Sequence, residues 1–190
     1  MRIVGGNFKG RPLVAPKGMA TRPTTDRTRE SLFNILTHRD GDILDGARVI
    51  DLFAGSGALG CEAISRGASF CLFVETAAGA RAAIRENQEA LDIIGSTRIH
   101  RRSATALGAK PSGIGAPFTL AFLDPPYGKG FVAPALRALK EGEWLEEGAF
   151  IVVEQGKGED APALEGFILE DERLFGDTVI RFLRSLQRSK

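Results

Sequence analysis

The stretch FLDPPYGKG, residues 122–130, places a carboxylate (Asp124), two prolines (Pro125 and Pro126) and an aromatic ring (Tyr127) at the end of an apolar run. An exocyclic amino group on a nucleobase is a poor nucleophile, because its lone pair is delocalised into the ring and deprotonation at neutral pH is costly. A carboxylate and a backbone carbonyl that accept its two N–H bonds reshape it toward a tetrahedral nitrogen and aim the lone pair at an electrophilic carbon. Asp124 supplies the carboxylate, and Pro125 presents its carbonyl on a chain stiffened by Pro126. Tyr127 offers a face on which an extruded base stacks. Taken alone, Asp-Pro-Pro-Tyr also reads as an ordinary polar turn after a strand.

A second constellation is VIDLFAGSGALG, residues 49–60, in which Gly55, Gly57 and Gly60 fit G-x-G-x-x-G between a strand and a helix. Glu75 closes the next strand, twenty positions after Gly55. In a doubly wound sheet this pattern builds a nucleotide site, with bare backbone toward the cofactor and the distal acid on its ribose hydroxyls. Asp51, on the strand before the loop, opposes a diphosphate but attracts the cationic ammonium and sulfonium of S-adenosylmethionine. The alternative for Asp51 is a carboxylate that caps the following loop through backbone N–H groups.

These residues need a scaffold that brings strand ends together. From residue 48 onward strands alternate with helices: strands at 49–53, 70–75, 98–102, 119–123 and 149–154, and helices within 57–67, 77–94 and 130–142. Alternation of this kind predicts a parallel sheet covered on both faces. Residues 167–174 and 178–186, joined by Phe-Gly-Asp, predict a closing antiparallel hairpin. At the start, residues 2–4 and 12–14 flank GGNFKG and predict a β-hairpin extension over residues 1–20, leaving 21–190 as the main domain. Thr25 or Asp26 caps a helix with Leu32, Phe33, Ile35 and Leu36 as its apolar stripe. The loose connection is GAKPSGIGAP, residues 108–117.

Composition narrows the class. A chain of 190 residues with 43% hydrophobic content buries one good core. No apolar run approaches the roughly 20 residues of a membrane span, and MRIVGGNFKG lacks the apolar core of a signal peptide, so a cytoplasmic protein without membrane contact is expected. Cys61 and Cys71 form no metal-ligand spacing, so neither a disulfide framework nor a metal site is expected. The net charge is only +1, yet residues 1–30 hold seven basic side chains, among them Lys9, Arg11 and Arg22, against Asp26 and Glu30. A basic arm on a slightly acidic body favours a polyanionic partner, although a solvated extension without a partner fits the charge alone. His38 and His100 sit in no motif and are read as surface or helix-end residues, and Trp144 as a core or helix-packing residue.

DPPY after the fourth strand, together with DLFAGSGALG, resembles the class I amino-methyltransferases, which act on adenine N6, cytosine N4, guanine N2 or a glutamine side chain. The closer resemblance is to the RsmD family of bacterial 16S ribosomal RNA guanine-N2 methyltransferases. RIVGGNFKGRPLVAP is similar to that family's N-terminal hairpin, RPTTDRTRESLFNIL to its entry helix and RLFGDTVIRFLR to its closing strands. The resemblance implies a Rossmann-like α/β fold with a seven-stranded, mostly parallel sheet and S-adenosylmethionine as methyl donor. It implies as target one guanine of 16S rRNA in the small ribosomal subunit or its assembly intermediate, approached by a monomer. It places Asp51, Phe53, Gly55, Gly57, Glu75 and Asp124 at the cofactor and Asp124, Pro125, Pro126 and Tyr127 at the guanine. Arg22, Thr24 and Asp26 of the entry motif fall near the cofactor's methionine end or the RNA, with Lys9 and Arg11 on the RNA. Where many such sites carry Asp or Asn after the third strand, this chain offers Ser103 for the adenine. The rivals are an amino-methyltransferase for DNA adenine or protein glutamine, a nicotinamide oxidoreductase, which leaves DPPY without a role, and a non-catalytic RNA-binding assembly factor.

Overall fold

Runs such as Val-Ile-Asp-Leu and Thr-Leu-Ala-Phe-Leu are largely apolar on both faces, which suits strands in the middle of a covered sheet. In the computed structural model, which describes residues 1–18 and 24–186, they form the adjacent central strands β1 (Arg48–Leu52) and β4 (Phe118–Leu123). The others are β2 (Phe70–Val74), β3 (Thr97–His100), β5 (Leu145–Gly156), β6 (Phe167–Phe175) and β7 (Thr178–Ser185), in the order β3-β2-β1-β4-β5-β7-β6. Strands β1 to β5 run parallel, and β7 lies antiparallel between β5 and β6. This is the Rossmann-like seven-stranded sheet with a closing hairpin that the sequence led us to expect. Chain order reverses between β1 and β4, and ligands bind beyond the carboxyl ends of strands at such a switch point.

One face of the sheet is covered by α1 (Asp26–His38), α2 (Ala58–Ser65) and α3 (Ala78–Leu91), whose apolar sides enclose Phe33, Phe73 and Phe122. The other carries α4 (Val132–Glu141) and the long β3–β4 connection, packed around Leu136, Phe118 and Trp144. The Trp144 indole N–H donates to the Gly108 carbonyl at 2.8 Å and pins that connection. Helix α1 starts where expected, because the Thr25 hydroxyl accepts the backbone N–H of Thr28 at 3.1 Å.

Two elements differ from expectation. Strand β5 begins at Leu145, four residues before Ala149, because Glu146, Glu147 and Gly148 (φ 72°) are accommodated by a register shift against β4. The N-terminal arm folds back antiparallel through a single bridge, Arg2 to Pro12, around a short turn of 3-10 helix at Gly6–Phe8. Its two limbs pair through backbone bonds, from the Ile3 N–H to the Arg11 carbonyl at 2.9 Å, the Gly10 N–H to the Ile3 carbonyl at 2.8 Å and the Leu13 N–H to the Met1 carbonyl at 2.9 Å. Side chains dock the arm on the body: Glu62 accepts the Val4 N–H at 3.0 Å, and Asn87 accepts the Val14 N–H at 2.7 Å. The expected boundary between residues 20 and 21 lies outside the described residues, as does Arg22.

Candidate active site

The loop after β1 is built by acids. Asp51 is buried and accepts the Gly60 N–H at 3.1 Å, which fixes the start of α2. Burial pushes its carboxyl up to about 8, with Glu75 adding to the rise and the Gly60 N–H opposing it. The Gly60 contact gives Asp51 the loop-capping role that the sequence offered beside attraction of the cofactor. Gly55 (φ 57°) and Gly57 (φ 77°) supply the left-handed turns of the loop, and Phe53 is also left-handed at φ 59°. Glu75, half-buried, accepts the Gly55 N–H at 2.9 Å and the Ala77 N–H at 2.8 Å, one on each oxygen. It ties the loops after β1 and β2 together and keeps a lone pair on each oxygen for a ligand hydroxyl. The Phe53 ring stacks parallel to Phe131 at 6.1 Å, giving the crevice an aromatic wall. Ser103 is exposed in the loop beyond β3, hydrogen-bonded to Thr105 at 2.9 Å. Bare glycine backbone, a pre-oriented acid and an aromatic wall fit the adenosyl part of S-adenosylmethionine.

On the other side of the crevice Asp124 follows β4, half-buried, with no hydrogen bond or ion pair to a described residue. Its carboxyl is held well above the ordinary carboxylate range, first by burial, then by Glu154 and Asp51. Pro125 is buried and Pro126 exposed. The Tyr127 hydroxyl donates to Glu154 at 3.0 Å and pairs with the Thr178 hydroxyl at 2.9 Å, which orients the ring. A Cβ on Gly156 would stand 3.0 Å from that ring, so the glycine gives it room. A cavity of about 470 Å³ opens beside Tyr127 and Glu154, lined also by Thr24, Thr28, Ser31 and Thr178 among others. A second cavity, of about 370 Å³, lies between α4 and residues 105–109 and shares no lining residue with it.

The remaining expected residues separate. Thr24 joins the site, donating its hydroxyl to Glu154 at 2.7 Å. Asp26 instead pairs with Arg29 at 2.9 Å and with Arg2 at 3.7 Å, at the root of the arm. Lys9 and Arg11 are exposed, and the Arg11 guanidinium also donates to the Ala90 carbonyl near the end of α3. Glu154, Thr178 and Phe131 were not singled out from the sequence. A signal for Glu154 is present there: it is the fourth acid at or near the end of a buried strand, after Asp51, Glu75 and Asp124.

A family model described as conserved hypothetical protein 95 matches residues 1–184. Ribosomal RNA small subunit methyltransferase D of Escherichia coli is 34% identical over 182 residues, which cover 95% of this chain and 88% of that protein. The chain belongs to this family, RsmD. Among solved structures, yhhF of Escherichia coli superposes with a TM-score of 0.82 at 32% identity, covering 99% of both chains. HI0767 of Haemophilus influenzae gives 0.79 at 29% identity, covering 98% of this chain and 99% of that one. The RsmD likeness therefore embraces the arm, the glycine loop, DPPY and the closing hairpin. Among the described residues no helix is long and apolar enough to cross a membrane, and no group of His, Cys, Asp and Glu could hold a metal ion.

Proposed function

We propose that this RsmD-family chain is a methyltransferase that uses S-adenosylmethionine to methylate the exocyclic N2 of one guanine in small-subunit ribosomal RNA. The observation that carries the reading is Asp124: an acceptor unoccupied by described residues, at the end of the strand next to the one that leads into the glycine loop. Bound S-adenosylmethionine supplies an electrophilic methyl group. Glu75 and the loop from Phe53 to Gly57 hold the adenosyl part, with Ser103 near the adenine. Asp124 accepts one N–H of the amino group and the Pro125 carbonyl the other, which turns the nitrogen lone pair out of the ring plane. Tyr127 stacks on the extruded base. The proton released from N2 leaves through the Asp124 carboxylate. The chain acts as a cytoplasmic monomer, with residues 1–20 as an RNA-contacting extension of the catalytic domain, on the small subunit or its assembly intermediate. The name of the Escherichia coli relative, a small-subunit rRNA methyltransferase, supports the substrate class.

The test is transfer of labelled methyl to undermethylated small subunits and to their extracted RNA, followed by nucleoside mass spectrometry. A single N2-methylguanosine is expected, reduced about a hundredfold or more in Asp124→Ala with cofactor affinity retained. No product despite cofactor binding, or undiminished transfer by the variant, overturns the assignment.

A further inference from the structure

Glu154 has no part in the chemistry above, yet its position is unusual for an acid. Leu123 pairs with Val153 across β4 and β5, so Asp124 and Glu154 occupy the next step of neighbouring strands. Phe122 and Val152 face the core under α1, and two residues on Asp124 and Glu154 turn the same way. Glu154 is only 5% exposed. Each of its oxygens accepts one hydroxyl, from Tyr127 and from Thr24, and each retains one acceptor site. The cavity opens onto this carboxyl. Burial raises it above the ordinary range, and the Thr24 and Tyr127 hydroxyls oppose that rise.

Guanine carries a ring N–H, N1–H, beside its amino-bearing carbon. In adenine and cytosine the ring nitrogen next to the amino-bearing carbon is itself an acceptor. We infer, building on the guanine-N2 reading above, that Glu154 selects guanine by accepting N1–H while Asp124 accepts from the adjacent N2 amino group. Two neighbouring acceptors then match two neighbouring donors. An adenine or cytosine in the same place sets its ring lone pair against the Glu154 carboxylate, and a buried acceptor without a donor is strongly disfavoured. Thr24 and Tyr127 are positioning residues that fix the plane of the carboxyl.

The test uses the full chain and RNA carrying guanine, 2-aminopurine or 1-methylguanine at the methylated position. 2-Aminopurine keeps the amino group but has an acceptor at N1; 1-methylguanine keeps O6 and the amino group but has no N1–H. The wild type is expected to prefer guanine over either analogue by about a hundredfold or more in kcat/KM. In Glu154→Gln the side-chain amide can donate to N1, so the preference for guanine over 2-aminopurine is expected to fall at least about tenfold, with cofactor affinity unchanged. Equal use of guanine and 2-aminopurine by the wild type overturns the inference, as does an unchanged preference in a variant that still methylates guanine; both leave guanine methylation standing. Failure of the wild type to methylate guanine RNA at all overturns the guanine reading, and this inference with it. Should the variant not fold, the wild-type comparison of the three bases decides.

Discussion

Asp51 shows how a single side chain holds the glycine loop in place. Its carboxyl is desolvated under the glycine loop and holds one N–H, and its proton affinity rises from the ordinary 3.8 to about 8. Between those values the folded chain retains a proton that the unfolded chain has released. Stability from this group is therefore full at low pH and is lost as pH rises toward and through the folded value. Asp51→Asn keeps an acceptor for the Gly60 N–H and removes the titration. Urea unfolding of both proteins from about pH 5 to about pH 8 should show the variant gaining on the wild type as pH rises. A constant difference across that window means that Asp51 does not retain its proton on folding, and returns an anionic Asp51 to the cofactor site.

At the scale of elements, α1, α2 and the arm meet at one buried charge. Arg29 is 1% exposed, donates to the Arg2 carbonyl and to Asp26, and lies 3.7 Å from Glu62. Glu62, fully buried, also holds Arg66 at 2.9 Å and the Val4 N–H at 3.0 Å. Glu62→Ala removes the buried carboxylate from beside Arg29, which keeps Asp26 and the Arg2 carbonyl, and takes away the Val4 contact of the arm, at a cost of up to about 3–5 kcal/mol in denaturant unfolding. Glu62→Gln, which keeps an acceptor for Val4, should cost less; a loss below about 1 kcal/mol in the alanine variant would show that the network contributes little. This junction marks the limit of what local pattern conveys. The glycine loop and DPPY are legible because apolar runs end on an acid within a few residues. Arg29 reads as part of a basic surface, because its burial depends on Glu62, far along the chain. Glu154 escapes notice for the same reason: its partners Thr24 and Tyr127 are 130 and 27 positions away. The start of β5 is hidden by a Glu-Glu-Gly irregularity that only pairing with β4 makes strand-like.

For the whole molecule the question is how a chain of net charge +1 engages a polyanion. With Arg29 buried, the arm's exposed cations among the described residues include Lys9, Arg11 and Lys17. At the mouth of the crevice Arg27 lines the cavity beside Tyr127, and Arg101, Arg102 and Lys129 are exposed on the loops after β3 and β4. Basic groups thus occur both on the arm and around the reacting end, and RNA that spans the two would meet cationic side chains at each. Charge reversal isolates the arm: Lys9→Glu with Lys17→Glu changes two exposed side chains while leaving Glu62, Asn87 and the site acids in place. Each phosphate that is no longer neutralised lowers the slope of log affinity against log salt by about 0.7–0.9. The double variant should therefore bind small-subunit RNA more weakly at low salt, with a shallower slope by up to about twice that amount, and bind S-adenosylmethionine as the wild type does. An unchanged slope assigns RNA binding to the crevice mouth and leaves the arm as a strap across α2 and α3.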